Sequence, residues 1–103
     1  MLSIIVPAYN EAEKLPETIK EAVDTLESSH FEYEVIIVDD GSKDDTLERA
    51  LSVAEQYPTV RVFNYKENRG KGYALKYGFQ YVQGDLVLFL DADLELPPSQ
   101  IPR

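Results

Sequence analysis

Leu86-Val87-Leu88-Phe89-Leu90-Asp91-Ala92-Asp93 decides the fold, because five apolar residues in a row end abruptly in two carboxylates. A continuous apolar run, as opposed to an alternating one, marks a strand covered on both faces, as in parallel sheets flanked by helices. Residues two apart in an extended segment point to the same side. Asp91 and Asp93 therefore emerge together at the carboxyl end of a buried strand. Hard divalent cations are held by one or two carboxylates while substrate phosphates complete the shell, so Asp-x-Asp at this place suggests a metal–diphosphate site. Acidic pairs also cap strands on solvated surfaces, and the rest of the chain has to decide between the two.

Working outward, apolar and β-branched segments recur at residues 3–7, 34–39, 61–65 and 85–91, each running into polar or turn residues. These read as strands. Three stretches with helical spacing separate them: Leu15, Ile19, Val23 and Leu26; Leu47, Ala50, Leu51 and Ala54; Ala74, Leu75, Gly78, Phe79 and Val82. Pro16 suits a first helical position, and Ser42-Lys43-Asp44-Asp45 resembles a capping box before Leu47. The pattern is βαβαβαβ. It predicts a three-layer α/β/α fold with a mainly parallel sheet, in which right-handed crossovers allow the strand order 3-2-1-4. Ligands in such sheets sit outside the carboxyl ends of the strands flanking the switch in winding direction. That crevice gathers the loops at residues 7–11, 39–42 and 91–95.

The 103 residues make one domain, 1–103, large enough for a single core. No internal repeat, low-complexity tract or linker divides it. A net charge of −9 repels a phosphate backbone, so no nucleic-acid partner is expected, whereas a nucleotide bridged by a cation is compatible with it. The absence of cysteine excludes a disulfide framework, a thiolate metal site and a Cys nucleophile together, and fits a reducing compartment such as the cytoplasm. The amino-terminal Met1-Leu2-Ser3-Ile4-Ile5-Val6-Pro7 lacks the basic flank of a signal peptide, and no apolar run approaches the roughly 20 residues that span a bilayer.

Each loop of the crevice has a chemical and a structural reading. After the second strand, Asp39-Asp40-Gly41-Ser42 offers a carboxylate to a ribose or a base N–H, with Asp39 in the strand end the functional candidate. Ser42, Asp44 and Asp45 are better explained as caps of the following helix. Asn68-Arg69-Gly70-Lys71-Gly72 places two cations and flexible backbone before the third helix, a combination suited to phosphate, although no P-loop pattern is present. A mobile loop with solvated cations is the competing reading. Pro7-Ala8-Tyr9-Asn10-Glu11 stands where a dinucleotide-binding fold has its glycine-rich turn, which argues against NAD or FAD. Pro7 and Tyr9 can wall a nucleobase while Glu11 meets polar atoms, or the turn is ordinary loop packing. Glu95, two residues past Asp93, is a third metal oxygen or a solvated carboxylate. His30, the only histidine, reads as a surface residue.

Taken together, Ile4-Ile5-Val6-Pro7-Ala8-Tyr9-Asn10-Glu11, Val38-Asp39-Asp40-Gly41-Ser42, Asn68-Arg69-Gly70-Lys71-Gly72 and Asp91-Ala92-Asp93-Leu94-Glu95 resemble the family 2 inverting glycosyltransferases of the GT-A fold. The likeness runs in order along essentially the whole chain. Within that family it is most similar to enzymes that move a sugar onto a polyprenyl or dolichyl phosphate. The resemblance implies that Pro7, Tyr9, Glu11 and Asp39 hold the nucleoside, with Asp39 near the base. It places Asp91 beside the ribose or the metal, Asp93 on Mg²⁺ or Mn²⁺, and Glu95 where a further metal ligand stands. Arg69 and Lys71 would approach the diphosphate or the sugar of a UDP- or GDP-sugar donor. Asp91 and Asp93 are then the catalytic pair, acting through the cation that neutralises the leaving diphosphate while an acceptor oxygen attacks the anomeric carbon from the opposite face. No carboxylate base is identified, and an ionised phosphate acceptor needs none.

The chain departs from the family in length, stopping at Ile101-Pro102-Arg103 where the acceptor-binding half should begin. It reads as a donor-binding half, weakly active or inactive by itself, whose parent sits on the cytoplasmic face of a membrane. A fourth strand without its outer neighbour exposes an apolar edge and predicts a homodimer through it. The competing class is a receiver-like Mg²⁺-binding signalling module. Receivers gather their acids after the first and third strands, whereas here they follow the second and fourth. A sugar-phosphate nucleotidyltransferase would want a glycine- and arginine-rich loop in place of residues 7–11.

Overall fold

The computed structural model describes residues 1–90. They form β1 (Leu2–Ala8), α1 (Leu15–Ser28), β2 (Tyr33–Asp40), α2 (Thr46–Gln56), β3 (Val60–Tyr65), α3 (Lys71–Phe79) and β4 (Leu86–Phe89). The four strands make one sheet in the order β3-β2-β1-β4, and every pairing is parallel. Both the alternation and the strand order expected from the sequence are therefore present. Three strands reach a residue or two beyond the apolar segments, because the parallel ladder pairs Leu2 with Tyr33 and Asp40 with Tyr65. By contrast β4 starts only at Leu86. Asp85 serves as its anchor, with its carboxylate 3.1 Å from the terminal ammonium of Met1.

The sheet has two differently filled faces. Ile4, Val6, Val35 and Ile37 pack with Leu15, Ile19, Ala22, Val23 and Leu26 of α1 and with Ala50 and Val53 of α2. On the other face Ile5, Ile36 and Val38 meet Ala74 of α3. Strands β1 and β2 are buried along their whole length, as expected for strands covered on both sides. Gly78 lets α3 lie close, since a Cβ there would come within 2.8 Å of Ile5 Cγ2 and 3.0 Å of Val38 Cγ2.

Two expectations about the core need correction. On α2 the buried stripe is Thr46, Ala50 and Val53, a spacing of four and three residues, while Leu51 is 49% exposed. The helix is turned so that Val53 meets the sheet. On α3 the helix stops at Phe79, which is exposed, and Val82 lies beyond it, packed against the second core from the loop. Strand β4 pairs only with β1 among the described residues, and Leu86 and Phe89 are 61% and 57% exposed. The run read as a strand buried on both faces is therefore, among the described residues, an exposed apolar edge, because no further strand lies beside it there. No helix among the described residues is long and apolar enough to cross a membrane.

Candidate functional site

The carboxyl ends of β1 and β2 open into a crevice of about 300 Å³. Pro7, Ala8, Tyr9 and Glu11 line one side, and Asp40, Asn68, Gly70 and Lys71 the other. Among the described residues it is built at the ends of β1 and β2 and at the start of α3, and β4 contributes no lining residue. The first loop is held by Asn10, whose φ of 52° is a left-handed conformation that asparagine tolerates better than most residues. Its backbone N–H donates to Ser42 Oγ at 2.9 Å, and its Oδ1 accepts from the N–H of Lys43 at 2.9 Å. Ser42 thus joins the first two loops and does not cap α2, which corrects the capping reading. Asp45, at the N-cap position, makes no cap bond and pairs with Arg49 at 3.3 Å. Asp44 does the capping: its Oδ1 accepts from the Thr46 N–H at 2.9 Å and from the Thr46 hydroxyl, which holds its carboxyl below the usual range.

Asp39 and Asp40 are adjacent in β2 and so face opposite sides of the sheet. Asp39 shares the face of Val35 and Ile37, is buried, and accepts a 3.3 Å bond from the N–H of Ser42. It is not among the residues lining the crevice. Asp40 shares the α3 face of Ile36 and Val38, and it does line it. Its Oδ1 accepts from the Tyr65 hydroxyl at 2.5 Å and the Arg69 N–H at 2.9 Å, while its Oδ2 accepts from Asn68 Nδ2 at 2.8 Å and the Gly70 N–H at 3.0 Å. Burial, reinforced by the Asp40 carboxylate, pushes the Tyr65 phenol up, so it stays protonated as a donor. Gly41 makes room for this arrangement. Its φ is +67°, and a Cβ there would fall 2.4 Å from the Asn68 nitrogen.

Of the residues singled out in the sequence, Pro7, Tyr9, Glu11 and Lys71 come together in the crevice. Arg69 does not line it. Its guanidinium lies 5.2 Å from the centre of the Tyr73 ring and 3.6 Å from Glu67. Asp91, Asp93 and Glu95 lie outside the described residues, and among the described ones no three acidic or histidine side chains converge to hold a metal. The sequence reading missed Asp40 as the anchor of the 68–70 turn. The signal was there in Asn68 and Gly70, a side-chain donor and a flexible N–H just before a helix, but it named no acceptor.

A doubly wound parallel sheet with a polar crevice at the carboxyl ends of its strands, and no glycine-rich turn after β1, defines a domain of the GT-A glycosyltransferase class. The match is direct: over residues 3–103 the chain fits the family described as "Glycosyl transferase family 2", and it belongs to that family. It is 45% identical over 97 residues to a dolichyl-phosphate beta-glucosyltransferase of Trichomonas vaginalis, covering 89% of this chain and 30% of that protein. It is 43% identical to an undecaprenyl-phosphate 4-deoxy-4-formamido-L-arabinose transferase of Sodalis glossinidius, covering 99% of this chain and 32% of the other. Among solved structures it resembles a mannosyltransferase from Pyrobaculum calidifontis in complex with GDP-Man and Mn²⁺, with a TM-score of 0.76 and 31% identity over 89% of this chain and 27% of that one. The chain spans about a third of the length of the curated relatives it matches. Nothing in these similarities supports a receiver-like module.

Proposed function

We propose that residues 1–103 form the donor-binding unit of a glycosyltransferase that moves a sugar from a UDP- or GDP-sugar to a polyprenyl phosphate, in glycan or cell-envelope synthesis. The observation that carries this reading is the Asp40-anchored turn, which draws Lys71 to the crevice opposite Pro7, Tyr9 and Glu11. A flat base fits the Pro7–Tyr9 side and a diphosphate the Lys71 side. Asp39, buried beside the crevice-lining Asp40 and bonded to the Ser42 N–H, meets the base by turning from that bond, and Arg69 reaches the diphosphate or sugar by leaving Tyr73. The choice of a lipid-phosphate acceptor is supported by the two relatives whose names carry one.

Mg²⁺ or Mn²⁺ would be held by Asp91, Asp93 and Glu95; the complex of the Pyrobaculum neighbour with Mn²⁺ supports a divalent ion. When bound it neutralises charge on the leaving nucleoside diphosphate. This chain's own residues hold the base, fix the phosphate-facing turn and orient the donor, which is catalysis by position and electrostatics. The parent enzyme would work at the cytoplasmic face of a membrane. In the isolated chain, the exposed β4 edge pairs with a second copy.

Calorimetric titration of UDP and of GDP, each with Mn²⁺ and with excess chelator, tests the reading. Metal-dependent binding of one nucleotide supports it and names the base. Binding of Mg²⁺ with no affinity for either diphosphate, in a folded chain, favours a receiver-like module instead.

A further inference from the structure

Asp40 is 4% exposed, yet its two oxygens accept from four donors. Three of these belong to the consecutive residues Asn68, Arg69 and Gly70, and they arrive from a turn 28 to 30 residues away in sequence. Asn68 Nδ2 also reaches the backbone oxygen of Asp40 at 3.2 Å, so one residue holds the turn through both its side chain and its main chain. Gly70 adopts φ 94° and ψ 163°, a conformation open essentially to glycine alone, and α3 begins at the next residue, Lys71. A buried carboxylate with three of its four partners on the segment that delivers a crevice-lining cation does more than stabilise the fold.

We propose that Asp40 is a positioning residue for the phosphate side of the donor site: its carboxylate sets the 68–70 turn, and through it the placement of Lys71 and the start of α3. The inference rests on the donor-site reading above. Asn at this position keeps the size but turns one oxygen into a donor, so one pair of N–H or O–H groups loses its acceptor and faces an NH₂ instead.

The test compares the 103-residue chain with Asp40→Asn and Tyr65→Phe by calorimetric titration of GDP and guanosine, and of UDP and uridine, in Mn²⁺. The expected result for Asp40→Asn is a diphosphate affinity about tenfold weaker or more, with nucleoside affinity within about twofold of the unsubstituted chain. Tyr65→Phe removes one donor without touching the charge and should move diphosphate affinity in the same direction by less. Should Asp40→Asn fail to fold, Tyr65→Phe carries the test. Equal diphosphate affinity with and without the substitution overturns the proposal, as does an equal loss for nucleoside and diphosphate, the mark of a purely structural role. If the unsubstituted chain binds no diphosphate, the donor-site reading falls and this inference with it. Amide exchange then still reports on the clamp: faster exchange at Arg69 and Gly70 alone would leave Asp40 as a loop anchor.

Discussion

Arg61 Nη2 lies 2.6 Å from Glu34 Oε1 at the end of the sheet away from the crevice. Glu34 Oε2 also accepts from Ser3 Oγ at 2.7 Å and from the N–H of Gln83 at 2.6 Å, and Ser3 Oγ in turn accepts from the N–H of Gly84 at 2.9 Å. One buried carboxylate thus ties β1, β2, β3 and the approach to β4 together. Burial by itself would raise the Glu34 pKa, but the hydrogen bonds from Ser3, Gln83 and Arg61 outweigh it, and the group is held below its ordinary value. The folded-state pKa is depressed, so the contribution is fully present above the unfolded value of about 4.3 and is lost as pH falls through the folded one. Urea unfolding between pH 7 and pH 3 should show this loss. Glu34→Gln should be less stable at pH 7 by about 2 kcal/mol and should lack that part of the pH dependence. A variant as stable as the parent at pH 7 would remove the network from the account.

Gly78→Val should destabilise the fold by about 3 kcal/mol, since its side chain would enter the space of Ile5 and Val38, both fully buried. Higher helix propensity than glycine offsets only about 0.5 kcal/mol of this. Chemical denaturation gives the difference, and a neutral result would mean that α3 can lift from the sheet without penalty.

Asp93→Ala should abolish the metal-dependent part of nucleotide affinity, leaving the variant with Mn²⁺ as weak as the parent chain in chelator. Calorimetry reads both. Unchanged affinity in Mn²⁺ would end the role of Asp93 as a ligand.

Self-association through β4 should appear as a concentration-dependent shift in sedimentation or elution, because an edge unpaired among the described residues, with exposed Leu86 and Phe89, is a template for another strand. Replacing Val87 by Pro, which removes a backbone donor from that strand, should suppress it. A monomer across micromolar concentrations would count against this pairing.

The continuous apolar runs at Val35–Val38 and Leu86–Leu90, the helical spacing between strands and the handedness of crossovers were enough to reach the parallel sheet and its order 3-2-1-4; that the crevice is lined by residues 68–71 beside the loop after β1 came from the packing. Those signals are local or topological, so the chain carries them without its partners. The family motifs around Pro7, Asp39 and Gly70 were legible for the same reason. What the tertiary structure decided are contacts between distant segments. It chose between two adjacent aspartates, turning Asp39 toward the Ser42 loop and Asp40 toward the turn before α3. It put Arg69 on Tyr73 and away from the crevice, seated Val53 in the core in place of Leu51, and made Glu34 the tie at the far end of the sheet. A strand's pattern says that neighbouring side chains face opposite ways, but that Asp40 meets the donors of residues 68–70 depends on chain brought in from 28 to 30 residues away, and only the packed sheet and helices bring it there.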